Sequence, residues 1–247
     1  MNNYNIGGVQ LKDVITFQTQ IMMGSQFARV KKAENKKDII IACLRMGWND
    51  AFRHTSKNVK EGNQTVLEIE SASWDKERHE KYDDYICSVL GQEQFLDIFL
   101  KYARANGTKN KIDVIEKGFE TLKEQLKHIK ETSGDKQLCF GHFQKMFNIA
   151  LKLYLCLYMC QGYLSINREC FDDEIIANLA TADCPIDSII LNKLSKKTCN
   201  QKFANYKWSK FGTEKCSIDY YEETQKEISK WTNGSSNLYF DFSEWEK

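Results

Sequence analysis

At 247 residues the chain is long enough for one large domain or two small ones, and its 42% hydrophobic and 12% aromatic content supplies a substantial core, which excludes wholesale disorder. Thirty-five Lys and Arg against 34 Asp and Glu leave a formal charge of +1, so no global field demands a nucleic acid or an acidic partner, and local clustering decides phosphate binding. Nine cysteines, an odd number with no CxxC pair, argue against a disulfide framework or a zinc site and for reduced thiols in the cytoplasm.

The opening residues, Met1 to Gly8, have neither the basic start nor the apolar core of a secretory signal, so a cytoplasmic protein is expected. The run from Asp38 through Ile39, Ile40, Ile41, Leu44 and Trp48 to Arg53 reads as a helix. Asn58 to Ser73, with Gly62-Asn63-Gln64 and alternating Val66, Glu68 and Glu70, is a loop or a short strand. From Trp74 to Ala105 the positions Tyr82, Tyr85, Ile86, Val89 and Leu90, then Phe95, Leu96, Ile98, Phe99 and Tyr102, recur at three and four, with Gly91 dividing two helices. Ile112, Val114, Ile115, Phe119, Leu122, Leu126 and Ile129 mark another, ended by Thr132-Ser133-Gly134-Asp135.

The most apolar stretch, Phe143 to Cys160, contains Lys145, Asn148 and Lys152, so only Leu153 to Cys160 is free of charged or amide groups, too short to span a bilayer. It predicts a helix buried nearly all round at the centre of the fold, with Cys156 and Cys160 as small core residues. Lys152 has Asp172 or Asp173 as candidate partners, and either aspartate suits a cap near Ile175-Ile176. A helix follows Asp187 to about Lys197, another runs near Asp219 to Trp231, and Asn233-Gly234-Ser235-Ser236 is a loop. The last ten residues, Leu238 to Lys247, are too aromatic for a free tail and should pack back onto the body. The fold class is mainly α, a compact multi-helix domain around a buried central helix. It is read as a single unit over 1–247, alternatively as two lobes of about 1–132 and 133–247.

Two local features carry chemistry. The single proline, Pro185, sits in Cys184-Pro185-Ile186-Asp187, where it pushes its predecessor out of helical space and Asp187 caps the helix that follows. Upstream, in Leu138-Cys139-Phe140-Gly141-His142-Phe143-Gln144-Lys145, a glycine turn opens the central helix and Lys145 is expected in or near its first turn, where the helix dipole disfavours a cation. One amine and one carboxylate near two helix starts form a candidate site. Between Lys193 and Lys210 lie Lys193, Lys196, Lys197, Lys202, Lys207 and Lys210 with no acid, interleaved with Phe203, Tyr206 and Trp208, a candidate phosphate-binding run whose alternative is a solvated lysine face.

The run Gly141-His142-Phe143-Gln144-Lys145 ahead of a long apolar helix, with Pro185-Ile186-Asp187 opening another, resembles the helix-hairpin-helix DNA glycosylases, most closely the archaeal 8-oxoguanine glycosylase branch. The resemblance covers about Gly134 to Lys197. It implies a hairpin Lys145 and an Asp187 as catalytic pair, with DNA as partner and neither metal nor cofactor. It also implies a base-binding region that includes Gly141, His142, Phe143, Gln144 and Asn148. His142 and Phe143 stand where many members have a second hairpin glycine, and Gly162 to Ala182 lengthens the interval between Lys145 and Asp187.

The residue types suit that chemistry. Cleaving an N-glycosidic bond builds positive charge on the sugar, which a carboxylate stabilises, and an amine can attack C1′ and form a Schiff base that eliminates the 3′ phosphate. Such an enzyme extrudes its base and stacks it on an aromatic, for which Trp48, Trp208 and Phe143 are candidates. Gln144 and Asn148 either read the base edge or satisfy backbone near the turn. Two function classes result: a base-excision DNA glycosylase, with AP-lyase activity left open, or a noncatalytic helical module that binds nucleic acid or protein. A helical ribonuclease, suggested by Arg45, Arg53 and His54, is disfavoured because no arginine is followed by histidine four to six residues later.

Overall fold

The apolar run at the middle of the sequence becomes the axis of the molecule. In a computed structural model, residues 5–11, 14, 30, 32–52, 59–61, 64–67, 76–126 and 138–245 are described. Two short antiparallel hairpins, β1 (Asn5–Ile6) with β2 (Val9–Gln10) and β3 (Val59–Glu61) with β4 (Gln64–Leu67), accompany a mainly helical fold. The helices are α1 (Lys36–Ala51), α2 (Lys76–Leu90), α3 (Glu93–Arg104), α4 (Thr108–Gln125), α5 (Phe140–Leu164), α6 (Asp173–Asn178), α7 (Ser188–Thr198), α8 (Lys202–Asn205), α9 (Asp219–Thr232) and α10 (Asn237–Trp245). Tight 3-10 turns lie at Arg168–Cys170, Leu179–Thr181 and Trp208–Lys210. The expected helix end at Thr132–Asp135, the alternation at Glu68 and Glu70, and the Arg53-His54 pair lie outside the described residues.

The helix starts follow from their caps. Asn35 Oδ1 accepts the Asp38 N–H at 3.1 Å while the Asp38 carboxylate accepts the Asn35 N–H at 3.3 Å, a reciprocal capping box that starts α1. Gly91 separates α2 from α3, as the spacing implied.

The central helix α5 is buried nearly all round, from Phe140 through Cys160. Phe95, Phe99 and Tyr102 of α3 pack around Phe147, Phe119 of α4 sets its edge against Phe143, and Tyr221 of α9 does the same against Phe140. One hydrophobic core runs from Val9 to Phe242. The aromatic C-terminal segment forms α10 and returns to it, with Leu238, Phe240 and Phe242 buried. No helix among the described residues is long and apolar enough to cross a membrane.

A helix buried on all sides must satisfy each polar side chain it carries, and α5 does so through partners distant in sequence. Lys152 pairs not with Asp172 or Asp173 but with Asp241 of α10, Nζ to Oδ2 2.7 Å, with the amine over the Phe242 ring. Burial pushes the Asp241 carboxyl upward against the opposing pull of Lys152. Asp172 caps α6, accepting from the N–H groups of Glu174 and Ile175, and meets Arg104 at 3.0 Å, while Asp173 pairs with Arg168. Asp172 and Asp173 are thus engaged by arginines, and the partner of Lys152 comes from α10 instead.

Candidate active site

The start of α5 differs from the expected glycine turn. Cys139 is the N-cap, its N–H donating to His142 Nδ1 at 3.3 Å, and helical structure begins at Phe140. Gly141 therefore lies inside the first turn, and Lys145, the sixth helical residue, falls in the second, beyond the reach of the dipole argument made from sequence. What Gly141 does instead is permit close approach. A Cβ there would overlap the carbonyl of Trp208, and its N–H donates to Phe211 O at 3.2 Å, so the Trp208–Lys210 turn is laid directly on the helix start.

A second glycine does the same on the other flank. A Cβ on Gly47 of α1 would overlap the carbonyl of Met146, so α1 crosses α5 in backbone contact one residue from Lys145. This brings the end of α1 beside the lysine: Lys145 Nζ lies 2.9 Å from Asp50 Oδ2 and 3.5 Å from the Asp50 carbonyl. Asp187 completes the group. Its Oδ1 accepts the N–H groups of Ile189 at 2.9 Å and Ile190 at 3.0 Å, capping α7, and its Oδ2 lies 3.4 Å from Lys145 Nζ. The Lys145 side chain is 2% exposed, with its amine 4.8 Å from the Trp208 ring centroid, and the Asp50 and Asp187 side chains are 41% and 20% exposed.

Two glutamines fix Asp187 in place. Gln144 Oε1 accepts the Ile186 N–H at 3.2 Å and its Nε2 donates to the Ile186 carbonyl at 2.9 Å. On the other side of Pro185, Gln225 Oε1 accepts the Cys184 N–H at 3.0 Å and its Nε2 donates to the Cys184 carbonyl at 2.6 Å. Each amide imitates a neighbouring strand, so the buried Cys184-Pro185-Ile186 segment is clamped between α5 and α9 without belonging to a sheet. Gln144 immediately precedes Lys145 and grips the residue immediately before Asp187, which couples the placement of the two charged groups.

Asn148 extends this support inward. Its Oδ1 accepts from Tyr102 at 2.7 Å and its Nδ2 donates to the Tyr221 hydroxyl at 3.0 Å; Tyr221 donates to Asp183 Oδ2 at 2.9 Å, and Thr108 donates to Asp183 Oδ1 at 2.7 Å. Burial, and then the Asp183 charge, push the Tyr102 and Tyr221 hydroxyls well above their ordinary range, so both remain donors in this network. Lys111 closes it by donating to Thr181 O at 2.6 Å, and burial lowers its amine against the pull of Asp183.

The structure thus brings together Lys145, Asp187 and Trp208 from the sequence-predicted set. Gln144 and Asn148 spend their amides on the loop and the network. Phe143 and Trp48 lie in the core, Trp48 stacked on Phe52, which stacks in turn on His142, and His142 sets its edge against Trp208. The lysine run is acid-free only in sequence: Lys197 pairs with Glu244 at 2.9 Å and Lys202 with Glu223. Lys193, Lys196, Lys207 and Lys210 make no ion pair among the described residues, and Lys207 and Lys210 flank Trp208.

Asp50 is the functional candidate that sequence reasoning missed. One signal pointed to it: a carboxylate in the last turn of a helix opposes the dipole, and α1 carries no basic residue there to compensate. Among the described residues no group of three or more His, Cys, Asp or Glu is arranged to hold a metal ion. Compared with protein-family models, with curated proteins and with solved structures, the chain finds no match.

Proposed function

We propose that the chain is a base-excision DNA glycosylase of the helix-hairpin-helix type that works through Lys145 and Asp187. The observation that carries this reading is the 3.4 Å approach of Lys145 Nζ to Asp187 Oδ2, between residues 42 positions apart, with the other oxygen of the same carboxylate locked as the α7 cap. An amine that attacks C1′ must first give up a proton, and the Asp50 and Asp187 carboxylates are within reach to accept it. The C1′–N bond then breaks, the base leaves with its electron pair and is protonated, and sugar-ring opening gives a Schiff base on Lys145. Loss of a C2′ proton expels the 3′ phosphate, which is the lyase step. A carboxylate held at this distance also stabilises positive charge developing on the sugar. Lys193 and Lys196 of α7 and Lys207 and Lys210 around Trp208, which make no ion pair among the described residues, supply phosphate contacts.

A second reading, a noncatalytic helical module that binds nucleic acid or protein, is favoured by the 2% exposure of Lys145 and by ion pairs that tie the end of α1 and the cap of α7 to α5. Single-turnover excision from duplexes carrying a panel of oxidised and alkylated bases separates the two. The glycosylase reading expects release of at least one base by the wild type and a loss of about a hundredfold or more in Lys145→Gln, with duplex affinity retained. Absence of release from every duplex by folded wild type, with DNA or protein binding present, selects the module.

A further inference from the structure

We propose that Asp50, and not Asp187, takes the proton that Lys145 must lose before it attacks; this rests on the glycosylase reading above. The Lys145 side chain is 2% exposed, so its ammonium proton passes to a group already in contact rather than to bulk water. Three oxygens are near: Asp50 Oδ2 at 2.9 Å, Asp187 Oδ2 at 3.4 Å and the Asp50 carbonyl at 3.5 Å. A general base works within about 2.6–3.2 Å of the atom it deprotonates, and of the three only Asp50 Oδ2 lies inside that limit.

The two carboxylates also differ in their other duties. Asp187 Oδ1 holds the N–H groups of Ile189 and Ile190, so turning that carboxylate toward the amine breaks the α7 cap. Its negative charge is also the one that stabilises the sugar cation, and a proton on it would cancel that charge. Asp50 has neither duty. Lys145 is its ion-pair partner among the described residues, and its side chain, 41% exposed, passes a proton on to solvent. Asp50 stands three residues beyond Gly47, one turn along the α1 face that meets α5 in backbone contact, so the helix crossing sets its distance from the amine. In the step itself an N–H bond of the ammonium breaks, an O–H bond forms on Asp50 Oδ2, and the electron pair left on Nζ attacks C1′. Other titratable groups surround the pair: Lys152 with Asp241, two turns further along α5, where the Asp241 carboxyl feels both Asp50 and Asp187; His142, against Trp208; and Lys207 and Lys210, which flank Trp208. All of these are common to wild type and variants, so the ratio of their rates isolates Asp50.

The experiment uses the full chain and a duplex with a natural abasic site, with cyanoborohydride trapping the Schiff base under single-turnover conditions across about pH 6 to 9. Asp50→Asn keeps an oxygen for Lys145 and loses the base, so at the acid end it should form adduct about a hundredfold more slowly than the wild type. That deficit should shrink by about tenfold per pH unit as hydroxide takes over the deprotonation. Asp50→Ala should be as slow, and added formate, the bare carboxylate, should restore its rate in proportion to concentration while leaving Asp50→Asn unchanged. A deficit that stays constant with pH, or no effect of formate on Asp50→Ala, makes Asp50 structural and overturns the assignment. So does Asp50→Asn reacting as fast as the wild type, or faster because an anion that favours the ammonium is gone. In each of those cases a wild-type adduct on Lys145 leaves the glycosylase reading standing, whereas no adduct from the folded wild type overturns both.

Discussion

Replacing Asp187 separates its two tasks, because each of its oxygens has one. Asp187→Asn keeps an Oδ1 acceptor for the N–H groups of Ile189 and Ile190, since asparagine caps as well as aspartate, and removes the charge 3.4 Å from Lys145. The carboxylate is part-exposed and Asp50, at 2.9 Å, still neutralises the amine, so the loss should lie near the about 1 kcal/mol of a surface pair rather than the about 3–5 kcal/mol of a fully buried one. Asp187→Ala loses the cap as well, adding about 1 kcal/mol. For a chain of this size each kcal/mol moves the melting temperature by about 2–4 °C, so the alanine variant should fall about twice as far as the asparagine variant. Base excision per folded molecule should drop by about a hundredfold or more in both, the scale of one lost electrostatic group. The assay pairs calorimetric melting with single-turnover excision. Equal melting losses in the two variants, or normal excision by Asp187→Asn, would refute the division of labour between the two oxygens.

Lys152→Met breaks a fully buried pair and should destabilise by about 3–5 kcal/mol, whereas Lys152→Met with Asp241→Leu should recover most of that loss; urea unfolding of both variants and of the single Asp241 change checks the cycle. Replacing Lys193, Lys196, Lys207 and Lys210 with glutamine should flatten the slope of log affinity against log salt by up to about 3–4 units, while replacing the acid-paired Lys197 and Lys202 should change it much less; fluorescence anisotropy from low to moderate salt decides. Burial raises the Asp172 carboxyl, but bonds from the Ile175 N–H and Arg104, with Lys36 nearby, outweigh it and leave the group below its ordinary range. Its contribution to stability is therefore fully present above the unfolded carboxylate value of about 4 and disappears as pH falls through the lower folded value; acid titration of wild type against Asp172→Asn should show a shallower decline in the variant.

Much of the helical layout was legible because it depends on local chemistry. The caps at Asp172 and Asp187, the break at Gly91 and the periodicity of Tyr82 to Tyr102 are written within a few residues of the structure they produce. The central helix was legible because a run so apolar has no solvent face. What sequence hid were distances set by packing. Gly141 reads as a turn residue, yet it serves close contact with the Trp208 carbonyl, a constraint imposed from 67 positions away; the helix begins ahead of it at Phe140, and Lys145 falls just past the first turn. Lys152 meets Asp241 because α10 folds back, and no local pattern announces that. Asp50 reaches Lys145 through the Gly47 crossing, which only the assembled pair of helices displays. The lysine run looked uniformly free because Glu223 and Glu244, which engage two of its members, lie beyond it in sequence.

The central claim is that the Lys145 amine reacts with a deoxyribose, and borohydride trapping tests it most directly. Wild-type protein incubated with a duplex bearing an abasic site or a modified base in the presence of borohydride should form a covalent protein–DNA adduct, with peptide mapping placing the reduced bond on Lys145 and Lys145→Gln forming none. An adduct mapped to another lysine, or no adduct from folded wild type on an abasic site and the full panel of modified bases, would contradict it.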